Sequence, residues 1–313
     1  MRIEEVIARD LKVPESLINE AISGARVRVK KFKIPKRSGG SREIFHPSKK
    51  LKVIQYWLMH SVFCNMPLSD AAMAYREGIS ILHNARAHSL NRYFLRMDFK
   101  DFFPSIRFED VEPDIKAWHR KFKPEWDLSD RSLGFINQSC FFKDDRLAVG
   151  YPSSPAISNI VMRNFDSKIL KEVGSEKYGN VVYTRYADDM VFSTNQKGAC
   201  KEIVKAVKEI VSVCKSPALE INESKTRLGS STGGSASVTG LKICPDGRIT
   251  INRKHKDHIR LMLSLFSKGK LDPKEVPSLA GHLAYCHYVA PDFYSGLSSK
   301  FFKEIHQIRA MDL

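Results

Sequence analysis

The sequence has no long apolar run and no cysteine spacing of the kind that builds a metal or disulfide site. Its six cysteines are scattered at positions 64, 140, 200, 214, 244 and 286, without a Cys-x-x-Cys pair, so neither a zinc centre nor a redox dithiol is expected. No apolar stretch approaches the roughly 20 residues that span a bilayer, and the N-terminus lacks the apolar core of a signal peptide. These absences favour a chain without a membrane partner in the reducing cytoplasm.

Acidic residues are also scarce relative to basic ones. The 313 residues contain 51 Lys and Arg against 35 Asp and Glu, a formal net charge of +16. Such a surplus opposes compaction through self-repulsion, and it is typical of proteins that bind a polyanion or a membrane surface. Positive charge is concentrated from Arg26 to Lys52, where eleven basic residues accompany one acid, Glu43.

This basic segment has the pattern of a β-hairpin. Apolar and basic residues alternate up to Ile34, the turn signal SGGS follows at Ser38 to Ser41, and an extended pattern resumes at Arg42. We expect the hairpin to contact nucleic-acid phosphates, the salt-dependent interaction that dominates such affinity. The alternative is a solvated charged hairpin without a ligand.

The rest of the chain mixes helical and strand patterns, which predicts an α+β fold. Helices are predicted at residues 49–66 and 153–173, a strand at 91–99 and a hairpin at 180–195. A second basic region begins at Asn252, where an amphipathic helix with a basic first turn is predicted up to Lys270. We expect the last sixty residues to form a small helical region that contacts a nucleic-acid backbone.

Two adjacent aspartates interrupt the strand-like run YTRYADDMVFS. Asp188 and Asp189 alone are compatible with a polar β-turn, but RYFLRMDFKDFFPSI places Asp98 at the end of another apolar strand. Clustered carboxylates repel each other, and two Mg²⁺ ions about 4 Å apart would neutralise them. Such a pair activates an attacking hydroxyl and stabilises a leaving pyrophosphate. A basic chain with an acidic pocket fits both a polymerase and a nuclease.

Three segments in order, MDFKDFFPSI, GYPSSPAISN and YTRYADDMVF, resemble motifs A, B and C of reverse transcriptases. The resemblance implies an RNA-directed DNA polymerase with a right-hand fold: fingers, a palm of antiparallel sheet plus helices, and a small helical thumb. Its domains would be an N-terminal helical segment at 1–24, fingers and palm at 25–250, and an RNA-binding thumb at 251–313. Asp98, Asp188 and Asp189 would be the catalytic carboxylates, and together with Phe99 they would hold two Mg²⁺ ions.

The resemblance also implies contacts with deoxynucleoside triphosphates. Phe103 matches the steric gate that crowds a ribose 2′-OH, and Lys225 matches the motif D lysine near the triphosphate. The full set of implied nucleotide contacts is Lys36, Arg37, Arg42, Phe99, Asp101, Phe102, Phe103, Gly150, Ser154, Pro155 and Lys225. One departure concerns motif B, where the common Pro-Gln-Gly is replaced by Ala148-Val149-Gly150, removing an amide that contacts the nucleotide sugar or the template.

Two further segments resemble signatures of bacterial retron reverse transcriptases: NARAH, Asn84 to His88, and VTG, Val238 to Gly240. This resemblance implies a cognate structured noncoding RNA, priming from an internal guanosine 2′-OH and a branched DNA product, the msDNA. It also implies antiphage defence with a separate effector protein. The RNA contacts implied are Asn84, His88, Val238, Thr239, Gly240, Arg253, Lys254 and Lys256.

Other functions remain open from the sequence. One is a defence-associated reverse transcriptase that extends DNA without a template or primes on protein. Another is an RNA-binding scaffold whose catalysis is incidental. A metal nuclease is disfavoured, because Phe103 and the Ser154-Pro155 pair would have no role in it.

Overall fold

The computed structural model describes residues 1–35, 39–234 and 236–311. The α-helices α1 to α14 of these residues are Ile3–Leu11, Glu15–Ser23, Lys49–Ser61, Ile81–Ala87, Phe102–Ser105, Phe108–Phe122, Asp130–Cys140, Ser154–Val161, Arg163–Val173, Ala199–Val213, Arg253–Ser267, Val276–Val289, Pro291–Lys300 and Phe302–Arg309. The strands β1 to β9 are Val29–Pro35, Ser41–Pro47, Tyr93–Asp98, Val182–Tyr186, Asp189–Thr194, Arg227–Ser230, Ser237–Val238, Leu241–Ile243 and Ile249–Thr250. Short 3₁₀ helices occur at Phe63–Asn65, Lys143–Asp145, Glu176–Tyr178, Glu223–Lys225 and Pro273–Glu275. The mixture of helices and antiparallel strands confirms the predicted α+β class.

Strands β1 and β2 form an antiparallel hairpin, the fingers hairpin, in the predicted basic segment. Ten of the fourteen residues in its two strands are exposed to solvent. It is fixed to the rest of the chain at one end, where the Phe45 amide donates to the Val149 carbonyl at 2.8 Å. The Phe45 and Phe142 rings lie 4.7 Å apart at the same place. The hairpin is therefore an arm with a narrow base.

The central sheet has four strands in the order β4-β5-β3-β6, all antiparallel, and is called the palm sheet. The predicted strand at 91–99 is β3, and the predicted hairpin at 180–195 is β4 and β5. On one face of the sheet, Leu95, Met97 and Phe192 join an apolar cluster with Phe165 and Ile169 of α9. Side chains alternate across a strand, so Arg96, Asp98 and Asp189 lie on the opposite face, together with Phe94 and Val191.

Two predicted helices are shorter in the structure. The helix predicted at 49–66 ends at Ser61. The prediction of a single helix at 153–173 is wrong. Helix α8 ends at Val161 and α9 begins at Arg163. Asn159 of α8 and Asp166 of α9 both contact Arg185 in the palm sheet. No local sequence pattern encodes this shared contact.

A second apolar cluster joins the C-terminal helices α11 to α14 to the small sheet β7-β8-β9. Leu82 and Ala85 of α4 and Phe94 and Val191 of the palm sheet belong to the same cluster. This thumb cluster therefore includes residues 237–250, which the sequence assigned to the palm, and a helix that precedes the palm in the chain. None of the described helices is both long and apolar enough to span a bilayer.

Candidate active site

Asp98 and Asp189 lie directly opposite each other on neighbouring strands of the palm sheet. Opposite residues of an antiparallel pair have Cα atoms about 4.5–5.5 Å apart, with their side chains on one face. The Phe99 amide donates to the Asp188 carbonyl at 3.2 Å, which brings the turn beside the end of β3. Acids about 90 residues apart in the sequence therefore meet at one edge of the sheet, as predicted from the sequence.

The turn that carries Asp188 has a strained backbone. Tyr186 and Asp189 pair across it, so the loop consists of Ala187 and Asp188 alone. Ala187 is buried and has a left-handed φ of 58°, at a hairpin position where Gly, Asn or Asp is usual. A left-handed residue with a Cβ costs on the order of 1–2 kcal/mol, so neighbouring contacts must hold this turn in place.

Two basic side chains contact the acids. The Lys225 ammonium donates to Asp98 Oδ1 at 2.7 Å, and Arg96 donates to both oxygens of Asp189, with Nη2 at 2.6 Å from Oδ2. Lys225 reaches Asp98 because the Asn222 amide donates to the Asp98 carbonyl at 2.7 Å, and the 3₁₀ turn that follows returns the chain over β3. Each of these carboxylates therefore has its own cation.

Burial is the main influence on the pKa values of Asp98 and Asp188. It raises the pKa of Asp98, against the lowering effect of Lys225, and the Asp189 charge raises it further. Burial also raises the pKa of Asp188, and the charges of Asp98 and Asp189 add to this effect. Raised pKa values mean that the site disfavours the ionised form of both carboxylates. Additional positive charge nearby would favour the ionised form.

Within the described parts of the chain, no group of three or more His, Cys, Asp or Glu side chains is arranged to hold a metal ion. Asp98 is instead paired with Lys225, and Asp189 with Arg96. The donor chemistry nevertheless fits Mg²⁺, which prefers carboxylate oxygens.

Comparisons with known proteins agree on the family. The family model described as "Reverse transcriptase (RNA-dependent DNA polymerase)" matches residues 34–262. The chain is 43% identical over 282 residues to the Retron Ec73 reverse transcriptase of Escherichia coli, covering 90% of this chain and 89% of that protein. It is 32% identical to the Retron Ec83 reverse transcriptase of the same species, covering 87% and 86%.

The chain belongs to the retron reverse transcriptases. It is therefore an RNA-directed DNA polymerase, as the three motifs predicted. Among solved structures, telomerase from Candida albicans, in complex with a TWJ fragment of telomeric RNA, matches with a TM-score of 0.52 at 13% identity. The match covers 94% of this chain and 62% of the telomerase chain. Identity this low shows the fold alone, which is the predicted right-hand polymerase fold.

In this retron reverse transcriptase, the segment before motif B is bound to the fingers hairpin. Gly150 has a φ of 105°, and a Cβ at this position would lie 2.6 Å from the Phe45 carbonyl oxygen. Ser154 is buried and donates to the Ala148 carbonyl at 2.8 Å, and Pro155 lies in the first turn of α8. Gly150 and Ser154 thus shape the segment internally, and their predicted nucleotide contact would be made through the backbone.

The residues after Asp98 lead into the short helix α5. The Phe99 ring is buried and stacks on Phe102 at 5.8 Å, so only its backbone is available to a nucleotide or metal ion. Asp101 is exposed and left-handed, with a φ of 45°. Phe103 is half-buried and packs edge-on against Phe102 at 5.4 Å, a position compatible with the predicted gate.

Arg42 is exposed and lies opposite Ile34 on the fingers hairpin. Burial raises the pKa of Tyr75, and the positive charge of Arg42 opposes this rise. The predicted contacts Lys36 and Arg37 lie outside the described residues.

Asn84, Ala85 and His88 of the first retron signature are buried, whereas Arg86 and Ala87 are exposed. His88 is fully buried, with Nδ1 at 2.7 Å from Ser193 Oγ and Nε2 at 2.7 Å from Thr184 Oγ1. Burial lowers the pKa of His88 to about 3, so the ring is neutral. Asn84 is also fully buried. This geometry does not support direct RNA contacts by these two side chains. His88 instead joins the end of α4 to the palm sheet through Ser193 and Thr184.

The two retron signatures pack against each other. Thr239 and Gly240 form the two-residue turn between β7 and β8, both with positive φ, as a tight hairpin turn requires. Thr239 Oγ1 donates to the Ile81 carbonyl of α4 at 3.2 Å, and Val238 is buried in the thumb cluster. Of the VTG residues, Gly240 is the exposed one, so an RNA contact here is available mainly to its backbone.

The basic first turn of α11 is exposed. The Asn252 side chain accepts from the His255 amide at 2.9 Å and caps the helix. Arg253 and Lys254 project into solvent, whereas the Lys256 ammonium lies over the Phe293 ring at 5.2 Å. These three predicted RNA contacts therefore share one accessible end of the thumb cluster.

Three residues at the site were missed from the sequence. Arg96 contacts Asp189, Arg185 lies buried beneath the turn, and Tyr75 has a left-handed φ of 58° beside it. Burial raises the pKa of Tyr75, and the charge of Asp188 raises it further. A signal for the first two was present, because each basic residue stands two or three positions before a catalytic-motif aspartate.

Proposed function

We propose that this retron reverse transcriptase copies part of a cognate structured RNA into DNA, with Asp98, Asp188 and Asp189 as its catalytic carboxylates. The observation that supports the proposal most is the register of the palm sheet, which sets Asp98 opposite Asp189 with the strained Asp188 turn beside them. Exposed basic residues on the fingers hairpin and on α11 provide charge for a polyanion.

The proposed cofactor is a pair of Mg²⁺ ions. When bound, they would activate the attacking hydroxyl and neutralise the leaving pyrophosphate. Asp98 and Asp188 would hold them, with the Phe99 backbone as a further oxygen ligand, and Asp189 would act electrostatically from its pair with Arg96. Lys225 would leave Asp98 and turn to the triphosphate of the incoming deoxynucleotide, whose sugar Phe103 would select.

The proposed template is the noncoding RNA of the retron. Its relatives among retron reverse transcriptases support this assignment. The RNA would be primed from an internal 2′-OH to give branched msDNA, in the cytoplasm, as part of antiphage defence with a separate effector protein. Arg253, Lys254 and Lys256 would hold a stem-loop through its backbone and shape, because A-form grooves expose little sequence.

The product of the reaction tests this proposal. The chain is co-expressed with the RNA encoded beside its gene, and the nucleic acid that co-purifies is treated with ribonuclease and then with a debranching enzyme. A DNA that is complementary to the RNA, and whose mobility in a denaturing gel shifts only after debranching, is the expected result. A linear product, or one linked to protein, would instead favour untemplated or protein-primed synthesis.

The scaffold alternative is tested by biology instead of chemistry. Asp188→Asn keeps the shape of the side chain but removes a metal ligand. We expect cells that carry this variant to lose both msDNA and protection from phage, while the variant still co-purifies with RNA. Full protection by Asp188→Asn would favour an RNA-binding scaffold whose synthesis is incidental.

A further inference from the structure

A buried cluster of polar side chains lies directly beneath the catalytic turn. Arg185 and Asp166 are both fully buried, and the guanidinium donates to both carboxylate oxygens, with Nη2 at 2.8 Å from Oδ2. Tyr183 donates its hydroxyl to the same carboxylate at 2.8 Å. Arg185 Nη1 also donates to Asn159 Oδ1 at 3.3 Å and to the Ala187 carbonyl at 3.2 Å.

The hydrogen bond to Ala187 connects this cluster to the turn that carries Asp188. Ala187 is the left-handed residue of the turn, and its carbonyl carbon is bonded to the Asp188 nitrogen. A hydrogen bond to this carbonyl therefore fixes the peptide plane from which Asp188 projects. The donor is a guanidinium that cannot rotate freely, because Asp166 holds its other two nitrogens.

The same cluster fixes a second wall of the site. Arg185 exchanges backbone hydrogen bonds with the preceding loop: its amide donates to the Ala71 carbonyl at 2.7 Å, and the Met73 amide donates to the Arg185 carbonyl at 2.8 Å. Asn159 donates to the Ala74 carbonyl at 2.8 Å. The next residue is Tyr75, which lies beside Asp188.

We propose that Arg185, held by Asp166, is a positioning residue that keeps the strained Ala187-Asp188 turn in its catalytic conformation. Burial by itself lowers the pKa of Arg185, but the adjacent Asp166 carboxylate outweighs this effect and the net shift is upward, so the side chain stays charged. The inference rests on the proposed catalytic role of Asp188. It assigns a function to a buried charge pair, an arrangement that apolar residues of similar size often replace without loss of stability.

The test separates positioning from stability. In Arg185→Met/Asp166→Leu/Tyr183→Phe, the charges and the hydroxyl are removed together, so that no unpaired charge is left buried. We expect a melting temperature close to wild type, kcat lower by about tenfold or more, and KM for deoxynucleotides unchanged. Weaker Mn²⁺ binding, followed by electron paramagnetic resonance, is expected with it. Wild-type kcat and Mn²⁺ affinity in this folded variant would overturn the proposal.

A second pair of variants keeps the proposal testable if the triple variant does not fold. Arg185→Lys retains the charge next to Asp166 but cannot span to Ala187, whereas Tyr183→Phe loses a hydrogen bond to Asp166 and leaves the Ala187 contact in place. We expect Arg185→Lys to lower kcat about tenfold and Tyr183→Phe to leave it unchanged. Equal losses of kcat in both, in proportion to their melting temperatures, would reduce Arg185 to a core residue.

Rescue provides the most specific outcome. Glycine adopts a left-handed φ without strain, so Ala187→Gly should restore part of the kcat of Arg185→Lys. An unrescued double variant would contradict a role through Ala187. Asp98→Asn is measured in parallel: retained synthesis there would contradict the proposed catalytic site itself, whereas its loss, with full activity in the Arg185 variants, would contradict the positioning role alone.

Discussion

The fingers hairpin and the palm hairpin, β4 and β5, share a secondary structure but differ in almost every other respect. Each is a pair of antiparallel strands. Six of the seven residues of β1 are exposed, whereas five of the six residues of β5 are buried. The palm hairpin is held by the neighbouring strand β3 and by the contacts of its own Arg185 with Asp166 and Asn159. The fingers hairpin is attached mainly through Phe45.

The difference in burial matches the different roles that we propose for the two hairpins. Chemistry at Asp188 requires a fixed geometry, which burial and a complete set of hydrogen bonds provide. Holding a polyanion requires only charge near phosphates, and exposed lysines supply it without a fixed geometry. Substitutions in the palm hairpin should therefore have steep effects, and substitutions in the fingers hairpin should have graded, salt-dependent ones.

The largest effect is expected at Asp98. Asp98→Asn can still accept from Lys225, so the fold should persist, but removal of the negative charge should lower DNA synthesis by more than about 100-fold, since even groups that only orient metal ligands typically contribute about 10- to 100-fold. Primer extension and RNA binding are measured side by side, with Glu202→Gln, at an exposed acid of α10, as the matched control. Synthesis retained by Asp98→Asn would remove the acid from the mechanism.

The attachment of the fingers hairpin to the segment at motif B is tested at Gly150. Gly150→Ala places a Cβ 2.6 Å from the Phe45 carbonyl at a φ of 105°, which should lower the free energy of unfolding by about 1–3 kcal/mol. The KM for deoxynucleotides should rise as the hairpin is displaced. Gly134→Ala, in helix α7 with open space around it, should instead stabilise by about 0.5–1 kcal/mol. Equal outcomes for the two variants would mean that the junction is not strained.

A smaller, pH-dependent effect is expected at His88, beneath the palm. In the unfolded chain His88 takes up a proton near the ordinary histidine pKa of 6.5, but in the folded chain only near a pKa of about 3. The stability contributed by neutral His88 is therefore present above pH 6.5 and declines as the pH falls toward 3. Between about pH 7 and pH 5 the decline should be about 2 kcal/mol.

His88→Gln keeps hydrogen-bonding groups near Ser193 and Thr184 but does not titrate. Denaturant unfolding over the same range, from about pH 7 to pH 5, should therefore show a flatter pH dependence for this variant than for wild type. His306→Gln, at an exposed histidine, is the control and should retain the wild-type slope. An identical slope for His88→Gln would contradict a neutral, buried His88.

The smallest effect per residue is expected in the fingers hairpin. Neutralising Lys30, Lys31 and Lys33 together should flatten the salt dependence of RNA binding, by about 0.7–0.9 in the log–log slope for each phosphate that the variant no longer neutralises. kcat at saturating RNA should change little. Lys201, Lys205 and Lys208 of α10, changed to Gln, are the matched control. An unaltered slope in the hairpin variant would support the solvated hairpin without a ligand.

Local patterns were sufficient for much of the fold. The alternation before the SGGS turn predicted the fingers hairpin, and the apolar runs around Asp98 and Asp188 predicted the strands of the palm. The break at Met162 was not predictable, because the helical pattern of α8 and α9 is continuous in the sequence. The burial of Asn84 and His88 was not predictable either, since polar residues are usually exposed.

The sequence by itself determined the chemistry that is available: three acids in ordered motifs, a large basic surplus and the signatures of a retron reverse transcriptase. Tertiary structure decided which cations Asp98 and Asp189 meet, that the two retron signatures pack together, and that Arg185 donates to the Ala187 carbonyl. The reason is physical. Residue types and periodicity are local properties, whereas hydrogen-bond partners inside a protein depend on segments that are distant in the chain and that meet only when the core forms.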